Sequence, residues 1–272
     1  MNLIEQAFRR PGRKLIPFIT AGDPDWETSL SLIRLLDQED VTAIELGVPY
    51  TDPLADGPVI QAASDRALAK GMTLTGVLEL ARTAREEGVD TPLILFSYYN
   101  PLLRFGLSRL TRLAKESGID GMIVPDLPFE ESADLAELAE EANLCLIPLT
   151  APTSKDRIER ITAKARGFVY CVSSLGTTGT RSTFSSGVEA FLDTVKKSSP
   201  VPTAIGFGIS RREHVDRFLK HADAVVVGSA LVRMIEERLS RFKDPETREE
   251  ALEEIRCFVR DLAAEEVPAI DR

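Results

Sequence analysis

Short, continuous apolar runs recur along the chain, and between them the apolar residues fall into a helical spacing. The runs cover residues 15–20, 43–47, 93–97, 121–124, 144–148, 168–173, 203–207 and 224–227. They do not alternate with polar residues, which is the pattern of parallel strands covered on both faces. The segments between them repeat apolar residues three and four apart. Residues 26–37 align Leu30, Leu32, Ile33 and Leu36, and residues 107–117 align Leu107, Leu110, Leu113 and Ala114. Residues 132–142 align Ala133, Ala136, Leu138 and Ala139 behind a possible Ser132 cap, and residues 155–165 and 211–221 are similar. Strands alternating with helices predict βαβ units with right-handed crossovers. Eight such units, with no linker and no low-complexity tract, close most economically into one (β/α)8 TIM barrel, an α/β fold with a single domain over residues 1–272.

Two connections are longer than a plain βα turn. Between Gly47 and Leu93 lie about 45 residues, well beyond an ordinary turn. They begin with a Pro/Gly-rich loop at 48–58 and continue into helical stretches at 59–70 and 75–87, so an extra helix is expected between strands 2 and 3. After the sixth strand, residues 173–187 are rich in Ser, Thr and Gly. Loops this long in a compact barrel are expected to be active-site lids. Residues 244–265 predict an amphipathic surface helix packing by Leu252, Ile255, Phe258, Val259 and Leu262.

Composition narrows the function classes. A chain of 272 residues that is 43% hydrophobic can bury one large core. A net charge of −10 without a basic block argues against a general nucleic-acid binder. An acidic protein can still hold a phosphorylated metabolite locally, through backbone N–H groups and helix N-termini. Cys145, Cys171 and Cys257 form no CxxC pair and predict reduced thiols rather than a disulfide framework or a zinc site. Residues 1–14 carry charges throughout, and no run approaches the ~18 apolar residues of a membrane span. The cytoplasm is the expected location.

Glu45 is the first candidate for chemistry, because it sits inside the apolar run Ala43-Ile44-Glu45-Leu46-Gly47. An ionised carboxylate there costs several kcal/mol unless it is paired or keeps its proton. Burial raises its proton affinity toward neutrality, as a general acid/base requires. The alternative is a structural Glu bonded to a neighbouring element. The following loop, Pro49-Tyr50-Thr51-Asp52-Pro53-Leu54-Ala55-Asp56-Gly57-Pro58, carries two more acids. By itself an Asp before Pro or Gly is a turn former, so Asp52 and Asp56 stay open on this reading.

Glycine-bearing turns follow the last three strands: Gly176–Arg181, Gly206-Phe207-Gly208-Ile209-Ser210, and Gly228-Ser229 before a helical run. Loops at the end of a barrel, with a helix N-terminus, are where such folds hold phosphate. No GxGxxG follows an early strand, and no His/Cys/acid cluster has metal spacing. His214 and His221 fall on one expected helix as surface or capping residues, and no Ser nucleophile has a partnered His.

These residues resemble the tryptophan synthase alpha subunit family. The resemblance rests on Glu45-Leu46-Gly47-Val48-Pro49-Tyr50-Thr51-Asp52-Pro53-Leu54-Ala55-Asp56-Gly57-Pro58. It extends through Pro17-Phe18-Ile19-Thr20-Ala21-Gly22-Asp23-Pro24, Tyr99-Asn100-Pro101, Val124-Pro125-Asp126-Leu127-Pro128, Gly206-Phe207-Gly208-Ile209-Ser210 and Gly228-Ser229-Ala230. It implies a lyase of tryptophan biosynthesis that cleaves indole-3-glycerol phosphate to indole and glyceraldehyde 3-phosphate by a retro-aldol reaction. Glu45 matches the general acid/base and Asp56 the acid that bonds the indole N–H. Tyr170 matches an aromatic hydroxyl near Glu45, and Phe18 matches a wall for the ring. Gly179, Gly208, Gly228 and Ser229 match the phosphate cradle, and Thr178 the loop threonine that meets the Asp56 segment.

The resemblance also implies a partner, a β subunit that carries pyridoxal phosphate in an α2β2 heterotetramer. Asp52, Pro53, Asn100 and Pro128 match the contacting side, and no cofactor is expected on this chain. Two departures stand out: Thr177 where the family commonly has valine, and Tyr50-Thr51 in place of the more frequent Phe-Ser. The alternatives are a stand-alone lyase that releases indole, a non-catalytic regulatory homologue, and another phosphosugar barrel such as an isomerase.

Overall fold

A computed structural model describes residues 1–172, 187–206 and 208–264. The apolar runs form β1 (Leu15–Thr20), β2 (Ile44–Gly47), β3 (Leu93–Phe96), β4 (Gly121–Ile123), β5 (Cys145–Ile147), β6 (Leu149–Thr150), β7 (Val169–Val172), β8 (Thr203–Gly206) and β9 (Ala224–Val227). All neighbours pair in parallel, in the order β5-β4-β3-β2-β1-β9-β8-β7-β6. The two ends of this order, β5 and β6, are separated in the chain by Pro148 alone, so the sheet curls round into a barrel.

The split at Pro148 is a correction to the single strand expected at 144–148. Proline has no N–H to give to a ladder, so the strand changes partner at that residue. β5 pairs with β4 before it, and β6 pairs with β7 after it. The Pro148 carbonyl still accepts from the Tyr170 N–H at 2.9 Å.

Alternate residues of each strand serve two cores. Ile16, Ala43, Ile94, Ile123, Cys145, Ile147, Phe168, Ala204, Ala224 and Val226 meet one another inside the barrel. Their neighbours Leu15, Ile44, Leu46, Leu93, Leu95, Met122, Val169, Cys171, Ile205, Val225 and Val227 pack outward under the helices. Both faces are apolar, which is why the runs read as continuous.

The helices Trp26–Gln38, Pro58–Ala69, Leu74–Glu86, Leu107–Glu116, Ala133–Glu141 and Ser229–Glu236 lie where the spacing predicts them. Ser132 makes no side-chain cap. A 3-10 turn at Phe129–Glu131 already brings its backbone to φ −83°, ψ −3°, and its hydroxyl donates to the Phe129 carbonyl at 2.8 Å. The segment expected as a helix at 155–165 is a 3-10 turn, Pro152–Arg157, followed by a short helix, Ile158–Thr162. Three further helices, Leu3–Ala7, Tyr99–Phe105 and Val188–Ser198, were not expected. The C-terminal helix Pro245–Ala263 buries Ala251, Ile255, Val259 and Leu262, while Leu252 and Phe258 pack at its margin.

The N-terminal helix closes the bottom of the barrel. Asn2 caps it by accepting from the Ile4 N–H at 2.9 Å, and its amide donates to the Asp120 and Asn143 carbonyls at 2.8 Å each. Ile4 is fully buried, and Phe8 lies 5.3 Å from the Phe168 ring. Among the described residues no helix is long and apolar enough to cross a membrane.

Candidate active site

With the bottom plugged, the opening lies at the C-terminal ends of the strands, where barrels carry their chemistry. Glu45 is in the middle of β2, in register between Phe18 of β1 and Ile94 of β3. The alternation points its side chain inward, and none of it reaches solvent. Among the described residues neither carboxyl oxygen has a hydrogen-bond partner. Burial alone pushes its proton affinity well above the usual 4.5. A protonated carboxylic acid in this place avoids the cost of an isolated buried charge.

Tyr170 projects inward from β7 and is half-buried, packed against the core inside the barrel. Its ring occupies the space a side chain at Gly206 would need: a Cβ there would overlap the hydroxyl. Burial is the largest cause that holds its hydroxyl well above the ordinary value, and the nearness of the acids Glu45 and Asp56 adds to it. The phenol therefore stays protonated beside both acids. Phe18 is seated in the same way over Gly47, meets Phe96 edge-on at 5.4 Å, and joins Ile60, Ala63 and Val232 in an apolar wall.

Asp56 stands on the loop after β2, only 6% exposed. It immediately precedes the helix Pro58–Ala69, whose N-cap is Gly57 and whose first residue is a proline pre-set for that position. Burial raises its proton affinity, and a hydrogen bond from the Tyr98 hydroxyl pulls it back down. Tyr98 is 3% exposed and also accepts from the Ala55 N–H at 3.0 Å. The Gln61 side chain donates to the Asp56 carbonyl at 2.8 Å. The two acids both act on Tyr170 but sit in different surroundings: Glu45 is fully buried without a hydrogen-bond partner among the described residues, and Asp56 is held by the Tyr98 phenol. That division suits one acid to carrying a proton and the other to carrying charge.

Tyr98 was not singled out from the sequence. The available signal was its place just past a strand end, next to Tyr99-Asn100-Pro101. Thr20 is a second such residue: its hydroxyl is buried without a partner at the end of β1, in register with Gly47.

The remaining expected residues divide by place. Gly208 has φ +54°, a left-handed conformation that suits glycine. Gly228 caps the helix Ser229–Glu236, and Ser229, 8% exposed, begins it. Thr178, Gly179 and Thr177 lie outside the described residues. Asp52 is exposed, with its carboxylate accepting from the Thr51 hydroxyl at 2.6 Å. Asn100 and Pro128 are exposed and Pro53 is half-buried. Two large exposed apolar side chains, Leu54 (80%) and Leu103 (54%), belong to the same segments as Pro53 and Asn100. His214 accepts weakly from the Ser210 N–H at 3.4 Å, and His221 pairs with Asp193 at 2.9 Å, as expected of capping and surface histidines.

Comparison with known proteins agrees with this geometry. The sequence profile described as "Tryptophan synthase alpha chain" matches residues 4–265. The tryptophan synthase alpha chain of Shouchella clausii is 53% identical, over 93% of this chain and 94% of that one. That of Bacillus subtilis is 52% identical, over 92% and 94%. A structure of the tryptophan synthase a2b2 complex from Pyrococcus furiosus superposes with a TM-score of 0.82 at 39% identity, covering 92% of this chain and 97% of that chain. The alpha chain from Legionella pneumophila superposes with a TM-score of 0.85 at 32% identity, covering 97% and 96%. Motif, barrel and full-length similarity converge: the chain belongs to the tryptophan synthase alpha chain family.

Proposed function

We propose that this chain is the lyase subunit of tryptophan biosynthesis, cleaving indole-3-glycerol phosphate to indole and glyceraldehyde 3-phosphate, with Glu45 and Asp56 as its catalytic acids. The observation that carries this reading is a fully buried carboxyl whose two oxygens have no partner among the described residues, with burial raising its proton affinity well above the ordinary 4.5. Glu45 gives its proton to C3 of the indole ring, and positive charge develops on the ring nitrogen. The glycerol hydroxyl then returns a proton to Glu45 as its oxygen becomes the aldehyde. The C–C bond breaks and its electron pair restores the aromatic ring. Glu45 ends as it began, so one protonated residue serves both steps. Asp56, kept closer to ionisation by Tyr98, accepts the ring N–H and stabilises its charge. The ring itself takes up the electrons, so the step calls on no group beyond these side chains.

Phe18 and Tyr170 hold the indole. Gly208, Gly228, Ser229 and the Thr178–Gly179 segment receive the phosphate, with backbone N–H groups at a helix N-terminus as the anion donors. The whole chain acts as one barrel unit in the cytoplasm. The exposed face bearing Asp52, Pro53, Asn100 and Pro128 receives a β subunit in an α2β2 assembly. The uncovered Leu54 and Leu103 side chains support this, since large apolar groups left in water mark contact surfaces. Pyridoxal phosphate belongs to that partner.

The test is release of indole from indole-3-glycerol phosphate by the purified chain, alone and with a β subunit. Activity is expected in both, higher with the partner. Absence of release in both overturns the reading, and a strong rate alone that the partner leaves unchanged favours a stand-alone lyase. Asp56→Asn should lower kcat by roughly 100-fold, the scale of one lost electrostatic stabiliser. A near-normal rate returns Asp56 to a turn-forming role.

A further inference from the structure

Two sets of contacts among the described residues fasten the loop that carries Asp56 to the rest of the barrel. The inner set is made by Tyr98, whose hydroxyl accepts from Ala55 and bonds the Asp56 carboxylate. The outer set is made by Tyr50: its hydroxyl accepts from the Asn100 side-chain amide at 3.1 Å. The Tyr50 ring also packs against the Tyr98 ring, with centroids 5.4 Å apart and planes tilted by 33°. Asn100 is itself fixed, because it lies in the first turn of the helix Tyr99–Phe105, whose Tyr99 N–H donates to the Asp126 carboxylate at 2.8 Å. A continuous set of contacts therefore runs from Asn100 through the two tyrosine rings to Asp56.

We propose that Tyr50 is a positioning residue that holds the Asp56 loop in its working place in the isolated chain. It does so through its hydroxyl on Asn100 and its ring on Tyr98. A phenylalanine at this position, the more frequent residue in sequences that this one resembles, keeps the ring contact but cannot accept the Asn100 amide. The hydroxyl is thus a fastening additional to the one Tyr98 provides. Its effect falls on the placement of Asp56 rather than on substrate affinity, because neither Tyr50 nor Asn100 is among the residues proposed to hold substrate, and their contacts run to Tyr98. The inference rests on the role proposed above for Asp56.

The test is steady-state indole release by the partner-free chain, comparing wild type, Tyr50→Phe, Asn100→Ala and the double variant. Each single variant should lose kcat by about three- to tenfold, the scale of one net hydrogen bond. KM should stay unchanged, and the double variant should be no slower than either single one, since both remove the same bond. A merely structural role would lower Tm and leave the kcat of folded protein intact, so melting curves accompany the rates. An unchanged kcat for Tyr50→Phe, or losses that multiply in the double variant, overturns the inference while the lyase reading stands. A wild-type chain that releases no indole overturns the lyase reading, and this inference with it.

Discussion

The two ends of the barrel treat most of their buried polar groups differently, although Arg13 Nη1 at the bottom also lacks a partner among the described residues. At the bottom, Asp120 is matched to Arg85 at 2.7 Å and to the Leu93 N–H at 3.0 Å. The Lys14 ammonium donates to the carbonyls of Arg10, Pro11 and Gly12, and the Asn2 amide bridges two further carbonyls. At the top, the Glu45 carboxyl and the Thr20 and Thr150 hydroxyls are buried without a partner among the described residues. There, too, Gly47 and Gly206 give up side chains so that Phe18 and Tyr170 can lie against them. Buried polar groups are normally satisfied, so the exceptions point to where a ligand would supply the missing partner. The bottom is built for stability, and the top sets some of it aside for chemistry.

Substitutions at each end can break or sharpen this contrast. The largest effect is expected from Glu45→Gln. Loss of an acid/base group of this kind lowers turnover by about 100- to 10,000-fold. Stability should move the other way. Glu45 has a folded-state proton affinity above 4.5, so its contribution to stability is fully present below that pH and is lost as pH rises through the folded value. Gln keeps the neutral form at every pH. The Tm advantage of Glu45→Gln should therefore be absent in acid and grow toward neutral pH, with about 1.4 kcal/mol for each tenfold of proton affinity. A variant less stable than wild type at neutral pH would mean that Glu45 is charged and paired.

The matching change at the bottom is Asp120→Ala, which leaves the Arg85 guanidinium and the Leu93 N–H without their partner. Breaking a largely buried pair should cost about 3 kcal/mol in chemical denaturation. Turnover per folded molecule should be unaltered, and a fall in kcat there would erase the division of labour between the ends. A smaller effect is expected from Gly206→Ala at the top. The added methyl must displace the Tyr170 ring, an overpacking cost of about 1–3 kcal/mol. Here kcat should fall as well, because Tyr170 lies beside both acids. The smallest effect is expected from Asn2→Ala: loss of the helix cap costs about 1 kcal/mol by thermal melting, without a change in rate.

The fold was legible where one physical rule acts alone. Each expected strand exists because its inward and outward residues are both apolar, and that pattern survives in one dimension. The break at Pro148 escaped it, because hydrophobicity does not register a missing N–H. The helix Tyr99–Phe105 escaped because Pro101 reads as a breaker, although a proline in the first helical turn displaces no internal hydrogen bond. Val188, Phe191, Leu192 and Val195 keep helical spacing directly behind a polar stretch, where the pattern is easily missed.

The site was legible in the same uneven way. Glu45 stood out by itself, as a charge within an apolar strand. Asp56 looked like a turn residue until the longer motif placed it, because its burial depends on Tyr98, more than forty positions away in sequence. Tyr98 itself gave only its place just past a strand end, beside Tyr99-Asn100-Pro101. Long-range partners of this kind become visible only once the strands are assembled.

The buried Glu45 carboxyl is expected to hold its proton well above the ordinary carboxylate range. The most direct test is the infrared difference spectrum of wild type minus Glu45→Gln, followed across pH in the carboxylic-acid C=O region. The account predicts a protonated-carboxyl band, absent from the variant, that persists at neutral pH, well above the ordinary 4.5. A band that disappears near that ordinary value would show an ionised Glu45 and contradict the account.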